Sequence, residues 1–392
     1  MNKENKKKIV LFFTIKNFEK VHLYKDVGLV PYYLCKKYNL EGEIIYSNEN
    51  KQELPQNFRG IKLKELKYIK IPIIIKKIDK FKILENINFY KYLLKNMKKI
   101  DCLMFFHYRL DKIFFIILYK LFNKKGKIYI KLDSNGIAEK AETIFNQIRN
   151  FILAYFTKYV DLFSIETEKA KEEILKHKIY TRVHLEIIKN GFDEDYLIEN
   201  KIKINSYEEK ENIMITVGRL GSEQKNTELL LKALENIELE EWKILLIGPY
   251  TNEFKIFYEK FLKENSDKKD KVLLLGNVED KNLLYEYYNR AKVFILTSRY
   301  ESFGLVLGEA LRFGDYIIST NVGMAREFVD KKIGKIIESE DKYMLEKEIL
   351  NIINKKIKLK ENFELSIKLS KKFNWNKIIK NKKFELLFRG NK

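Results

Sequence analysis

Short apolar runs recur along the whole chain, and each is followed by a stretch whose apolar residues have helical spacing. Runs separated in this way cannot pair as hairpins, because a helix intervenes between one and the next. They build parallel sheets from strand–helix–strand units. In the first half the runs fall at 8–15, 43–47, 102–106, 127–132, 161–166 and 184–189; in the second they begin at Asn212, Trp242, Lys271, Lys292, Asp315 and Ile333.

A chain of 392 residues is too long for one ordinary core. The two series of strands therefore predict two Rossmann-like α/β domains facing each other across a cleft. The segment 193–212 is polar and charged enough to be a surface linker. The expected division is 1–192, 193–372 and a terminal segment 373–392. That last segment has apolar residues at helical spacing and a large anchor in Trp375, so it is expected to pack back towards the N-terminal domain.

The net charge of +21 looks at first like a nucleic-acid signature. The cations are nearly all Lys, however, and Lys rises together with Ile and Asn, as a compositional bias of the source genome would produce. No basic region or zinc-finger spacing supports nucleic-acid binding, which is set aside. A solvated Lys surface and an anionic membrane surface remain as readings. For the second, the stretch 61–100 combines cations with Ile, Leu, Tyr and Phe in the manner of an interfacial patch; an ordinary half-buried strand and helix would read the same.

Cys35, Cys102 and the histidines His22, His107, His177 and His184 show no metal-ligand spacing. A reducing cytoplasm and no structural metal follow. The apolar run after the Lys-rich start is cut short by Lys16 and has no small-residue cleavage site, so it reads as a first strand. The run 113–119 is far below the ~20 residues needed to span a bilayer.

Two places carry candidate chemistry. The run ending at Ser298 leads into E-S-F-G-L-V-L-G-E, bracketed by Glu301 and Glu309. A strand, a polar loop, a glycine and a helix present the unpaired N–H groups of a helix N-terminus to an anionic ligand. Glu301 lies ahead of that helix and Glu309 inside it, so a ligand with a phosphate centre and a hydroxyl-rich group at each end would suit both. A nucleoside diphosphate sugar has that shape. The strand from Asn212 likewise ends in Gly218-Arg219-Leu220-Gly221, with Lys225 before the next helix. Two cations in a loop at the carboxyl edge of a sheet are well placed to neutralise a pyrophosphate.

Together these stretches resemble the C-terminal domain of the retaining GT-B glycosyltransferases of family 4, the glycosyl transferases group 1. The resemblance covers roughly 185–340. It rests on V-G-R-L with a Lys six residues past the Arg, I-K-N-G-F-D at 188–193, L-L-G-N-V at 274–278, and S-R-Y-E-S-F-G-L-V-L-G-E-A-L at 298–311, continuing through G-D-Y-I-I-S-T-N-V-G. It implies that Arg219 and Lys225, in the loop opened by Gly218, hold the donor diphosphate and stabilise its charge as the glycosidic bond breaks. Backbone at Phe303, Gly304 and Leu305 would meet the phosphates or the donor sugar, and Glu301 would face sugar hydroxyls. Glu309 would take the ribose, and the main chain near Asn277 and Val278 would border the base. No metal is implied. Asp193-Glu194-Asp195 spells the metal motif of another glycosyltransferase fold, but it follows a turn at the linker and is set aside.

The N-terminal half matches less well, as expected of the half that holds the acceptor. Gly28, in K-D-V-G-L-V-P-Y-Y-L, could let the backbone approach donor or acceptor, or be a plain turn glycine; the double glycine of many relatives is missing. Asp133, in K-L-D-S-N-G, stands where relatives commonly carry a histidine, and either polarises the acceptor hydroxyl, binds the donor sugar or caps a helix. The implied protein is a cytoplasmic retaining transferase, peripheral on the inner face of the cell membrane, that moves a sugar from a nucleotide donor to a saccharide acceptor on a lipid carrier. The alternatives are a catalytically silent GT-B protein that binds a partner or glycan, and a sugar-nucleotide epimerase on the same fold.

Overall fold

Strand β1 (Lys8–Phe13) is apolar on both faces because its sheet is covered on both. Ile9, Leu11 and Phe13 point into one core, and Val10 and Phe12 into another. The computed structural model describes residues 6–15, 17–49, 52–72, 74, 79, 81–133, 144–177, 179–180, 183, 185–329 and 332–389. Two units divide the chain: Met1–Lys189 with Trp375–Lys392, and Asn190–Asn374.

In the first unit β1 is followed by β2 (Glu41–Ser47), β3 (Asn57–Phe58), β4 (Ile61–Leu66), β5 (Cys102–Phe106), β6 (Lys127–Lys131), β7 (Leu162–Ile165) and β8 (Leu185–Ile187). Their order across the sheet is β3-β4-β2-β1-β5-β6-β7-β8. Every pairing is parallel except that of the edge strand β3 with β4. The helices Ile87–Asn96, Leu110–Phe122 and Ile144–Phe156 pack in series on the Val10 side of the sheet. Strand β4 buries Ile61 and Leu63 and exposes Lys62 and Lys64, the alternation of a half-covered strand. On the other side, Trp375 of the terminal segment stacks on Tyr33 with ring centroids 6.1 Å apart.

The second unit holds β9 (Ile213–Val217), β10 (Lys243–Ile247), β11 (Val272–Gly276), β12 (Val293–Leu296), β13 (Tyr316–Thr320) and β14 (Gly334–Ile337). All are parallel, in the order β11-β10-β9-β12-β13-β14. The chain winds outward from β9 to β11 and returns to lay β12 beside β9. Between β9 and β12 the connections therefore leave in opposite directions, which opens a crevice at the carboxyl ends of these two strands.

The expected surface linker at 193–212 is not one. Asp193 caps the helix Glu194–Glu199 by accepting from the Tyr196 N–H at 3.3 Å, and Arg312 holds Glu194 with Nε to Oε2 at 2.8 Å. Lys210 is fully buried, with its ammonium 2.8 Å from Asp315 Oδ1 and 3.1 Å from the Tyr288 carbonyl. Burial pushes the Asp315 carboxyl up to about 7, against the pull of Lys210. The polar residues read as solvated are thus the pairs that fasten this segment to its unit. The break between units falls at 189/190 and 374/375 instead of 192/193 and 372/373, because Phe192 stacks on Tyr285 and its N–H donates to the Phe373 carbonyl at 2.5 Å.

Candidate functional site

The crevice between β9 and β12 collects Arg219, Lys225, Glu301 and Gly304 of the residues singled out in the second half of the sequence. After β9 the chain passes through Gly218, Arg219 and a turn to Lys225, just ahead of the helix Thr227–Leu234. Gly218 leaves room for this path: a Cβ there would meet the Lys225 stem at 3.1 Å. After β12 it passes Ser298 to Glu301 and enters the helix Leu305–Phe313 at Gly304. Lys225 Nζ is ion-paired with Glu301 Oε1. The same carboxylate accepts from Ser298 Oγ at 2.7 Å and from Gln224 Nε2 at 3.4 Å.

Gln224 also ties in the second cation. Its Oε1 accepts from Arg219 Nη2 at 2.6 Å, while its Nε2 donates to the Tyr300 carbonyl at 3.0 Å. Those two partners fix the amide's orientation, since the reverse would set an NH2 against a guanidinium and an oxygen against a carbonyl. Both cations, 219 and 225, are thereby linked to Glu301. Arg299 locks the loops around them: Nε donates to Glu340 Oε1 at 2.6 Å, Nη1 to the Glu223 carbonyl at 2.6 Å, and Nη2 to Asn226 Oδ1 at 3.1 Å. Its own N–H reaches the Gln224 carbonyl at 2.8 Å.

Gly304 has φ +81°, and the helix it opens carries no side-chain cap. The N–H groups of that first turn, Leu305 among them, are the kind of donors an anion can take. The loop before it is braced from the turn after β13, where Met324 N–H donates to the Phe303 carbonyl at 2.8 Å. A Cβ on Gly323 would sit 2.4 Å from that same oxygen, so only glycine allows this approach. Glu309, one turn into the helix, accepts from Tyr288 Oη at 3.2 Å. Burial, then the Glu309 charge, hold the Tyr288 phenol well above its ordinary pKa, so it stays a donor to Glu309. Asn277 and Val278 follow β11, two strands from β9 on the same edge of the sheet.

Arg219, Lys225, Glu301 and the Gly304 helix tip thus lie together, with Glu309 on the same helix. Gln224, Arg299, Ser298 and Tyr288 were not singled out from the sequence. Gln224 stands next to Lys225 and Arg299 two before Glu301, but a neutral amide and one more cation in a Lys-rich chain give no separate signal.

The N-terminal candidates have different surroundings. Gly28 is the third residue of the helix Asp26–Tyr38, and a Cβ there would lie 2.2 Å from the Leu23 carbonyl oxygen. The close approach at Gly28 is to its own chain. Asp133 is exposed just past β6, while residues 134–136 of the same motif lie outside the described residues. Beneath it is a buried ion cluster: Lys131 Nζ lies 2.7 Å from Glu166 Oε1 and 3.5 Å from Asp26 Oδ2. Burial pushes Glu166 up to about 7; Lys131 opposes the shift, and Asp133 and Asp26 add to it. Burial works against the charge on Lys131, but Glu166 and Asp26 outweigh it and raise its pKa. His107, after β5 at φ +59°, has its pKa lowered by burial, with Asp133 offsetting part of the effect.

Residues 198–368 match the family model of glycosyl transferases group 1. The chain is 27% identical over 219 residues to a probable sucrose-phosphate synthase of Thermosipho melanesiensis, which covers 53% of this chain and 48% of that protein. It is 24% identical over 224 residues to the amylovoran biosynthesis glycosyltransferase AmsD of Erwinia amylovora, covering 52% of this chain and 62% of AmsD. The chain thus spans about half the length of the first of these relatives. Among solved structures, HepE of Anabaena in complex with UDP superposes with a TM-score of 0.67 at 14% identity, over 95% of this chain and 97% of HepE. The fold is the GT-B fold, with two Rossmann-like domains.

Proposed function

We propose that this chain, whose residues 198–368 match the family model of glycosyl transferases group 1, moves a sugar from a nucleoside diphosphate sugar to a saccharide acceptor. The observation that carries the reading is the convergence of Arg219, Lys225 and Glu301 at the β9/β12 crevice beside the uncapped helix at Gly304. Breaking the bond between the anomeric carbon and the diphosphate leaves negative charge on the departing phosphate. Cations held in place before the reaction stabilise that charge without having to reorganise. Lys225 serves the diphosphate with Arg219, and Glu301 turns to sugar hydroxyls once its ammonium partner has an anion.

Retention of anomeric configuration fits this constellation. The acceptor oxygen bonds to the anomeric carbon on the face the diphosphate leaves, and its proton passes to the leaving phosphate oxygen. No carboxylate nucleophile or metal ion enters this scheme. Glu309 takes the ribose hydroxyls, the main chain at Asn277 and Val278 borders the base, and Asp133 belongs to the acceptor side. The UDP bound to HepE supports a nucleotide donor, and the name of AmsD supports sugar transfer in polysaccharide synthesis; a lipid carrier for the acceptor rests on the basic, apolar character of the N-terminal half.

The test is incubation with a panel of UDP, GDP and ADP sugars. Nucleoside diphosphate should be released slowly in water and faster with acceptor. No release and no binding across the panel would sink the reading.

A further inference from the structure

The positive charge of this chain belongs to one unit. Residues 190–374 carry 31 Lys and Arg against 33 Asp and Glu, whereas the rest of the chain carries 45 against 22. A compositional bias that acts on both units alike does not account for this separation, which favours the anionic membrane surface of the two readings of the charge. Large apolar side chains are exposed in the same unit. On the serial helices Leu110–Phe122 and Ile144–Phe156, Leu121 is 65% exposed, Ile148 54% and Phe151 74%, with Phe122 and Tyr155 also exposed.

Ile148, Phe151 and Tyr155 follow one another at three and four residues, which sets them on one face of their helix. The opposite face places Leu153 in the core. The segments 87–125 and 144–160 hold two acidic residues, Asp101 and Asp111, and Asp111 is buried. Exposed lysines flank the apolar stripe at Lys124, Lys125 and Lys158. No helix among the described residues is long and apolar enough to cross a membrane.

We propose that the outer face of the helices Leu110–Phe122 and Ile144–Phe156 is a docking surface for an anionic lipid membrane. Lysines attract the negative surface within a Debye length, and Phe151, Ile148 and Leu121 enter the boundary between headgroups and acyl chains. The apolar stripe decides between lipid and a dissolved polyanion such as RNA. A polyanion uses the cations but gives aliphatic side chains nothing to enter. The docking is independent of the donor chemistry proposed above.

The experiment is sedimentation of the full chain with vesicles of phosphatidylcholine alone or mixed with phosphatidylglycerol, beside binding to single-stranded RNA. The chain should bind the anionic vesicles, and replacing both lysines, as Lys124→Glu with Lys125→Glu, should weaken this about tenfold or more. Ile148→Ser should weaken vesicle binding about tenfold and leave any RNA binding within about twofold, because it removes neither a cation nor an aromatic ring. Equal sedimentation with both vesicle types would overturn the proposal, as would Ile148→Ser without effect on vesicles or with equal loss on RNA. Nucleoside diphosphate release in the absence of vesicles should be the same for Ile148→Ser and the natural chain. Loss of docking and failure of the donor reading are thereby told apart.

Discussion

Lys225 and Glu301, 76 residues apart in sequence, form an ion pair between the ends of β9 and β12. The pair is mostly buried, so either member alone would leave a charge poorly solvated. Under the proposed function, a phosphate arriving at Lys225 would give that ammonium a second anion and release Glu301 for hydroxyl groups.

Arg219→Ala and Lys225→Ala should each lower turnover by about 10²- to 10³-fold, the usual effect of removing a group that stabilises developing charge. Steady-state nucleoside diphosphate release measures this. A rate that stays within tenfold would remove that residue from the phosphate site.

Arg299→Lys should lower kcat/KM for the donor about tenfold or more, through displacement of the loops carrying Lys225 and Glu301. A lysine cannot reproduce three bonds to Glu340, the Glu223 carbonyl and Asn226 from one planar fork. The circular dichroism spectrum should be unchanged. Kinetics equal to those of the natural chain would show that the loops hold themselves.

Gly304→Ala should destabilise the chain by about 1–2 kcal/mol, because φ there is +81° and an L side chain is strained in that region. Denaturant titration followed by tryptophan fluorescence reads the difference. No change would mean that the loop relaxes to another entry into the helix.

The buried Lys131–Glu166 pair gives a stability that depends on pH. Glu166 titrates at about 7 in the folded chain, above the ~4.3 of an unfolded glutamate. Between those values the native state binds a proton the unfolded state has released, so this group's contribution falls as pH rises. Lys131→Met should cost about 3–5 kcal/mol near pH 8 by stranding the carboxylates, and less near pH 5, where Glu166 is protonated. Denaturant titrations at both pH values test the sign; a larger cost at the lower pH would refute it.

The six strands of the second unit and most of the first were legible in sequence, because strands buried on both faces are apolar throughout and stand out from amphipathic helices. Strand β4 was not legible as such: with Lys62 and Lys64 set among Ile61, Leu63 and Leu66, it carries the same residues as an interfacial patch. The segment 193–212 was misread for a related reason. Sequence cannot distinguish a solvated lysine from Lys210, whose charge is matched in the core by Asp315, more than a hundred residues away.

For the site, the residue types and their local spacing determined the candidates: a glycine-led loop with two cations, and two glutamates about a helix start. Which of them meet was decided by the strand order alone. Placing β12 beside β9 brings Glu301 to Lys225 and to the amide of Gln224, which the turn after β9 already sets against Arg219. Hydrophobic periodicity is a local property that any sheet order satisfies equally, whereas an ion pair or an oriented amide needs two loops at one point in space. The sequence determined the chemistry on offer; the crossing of the chain between β11 and β12 decided where it is gathered.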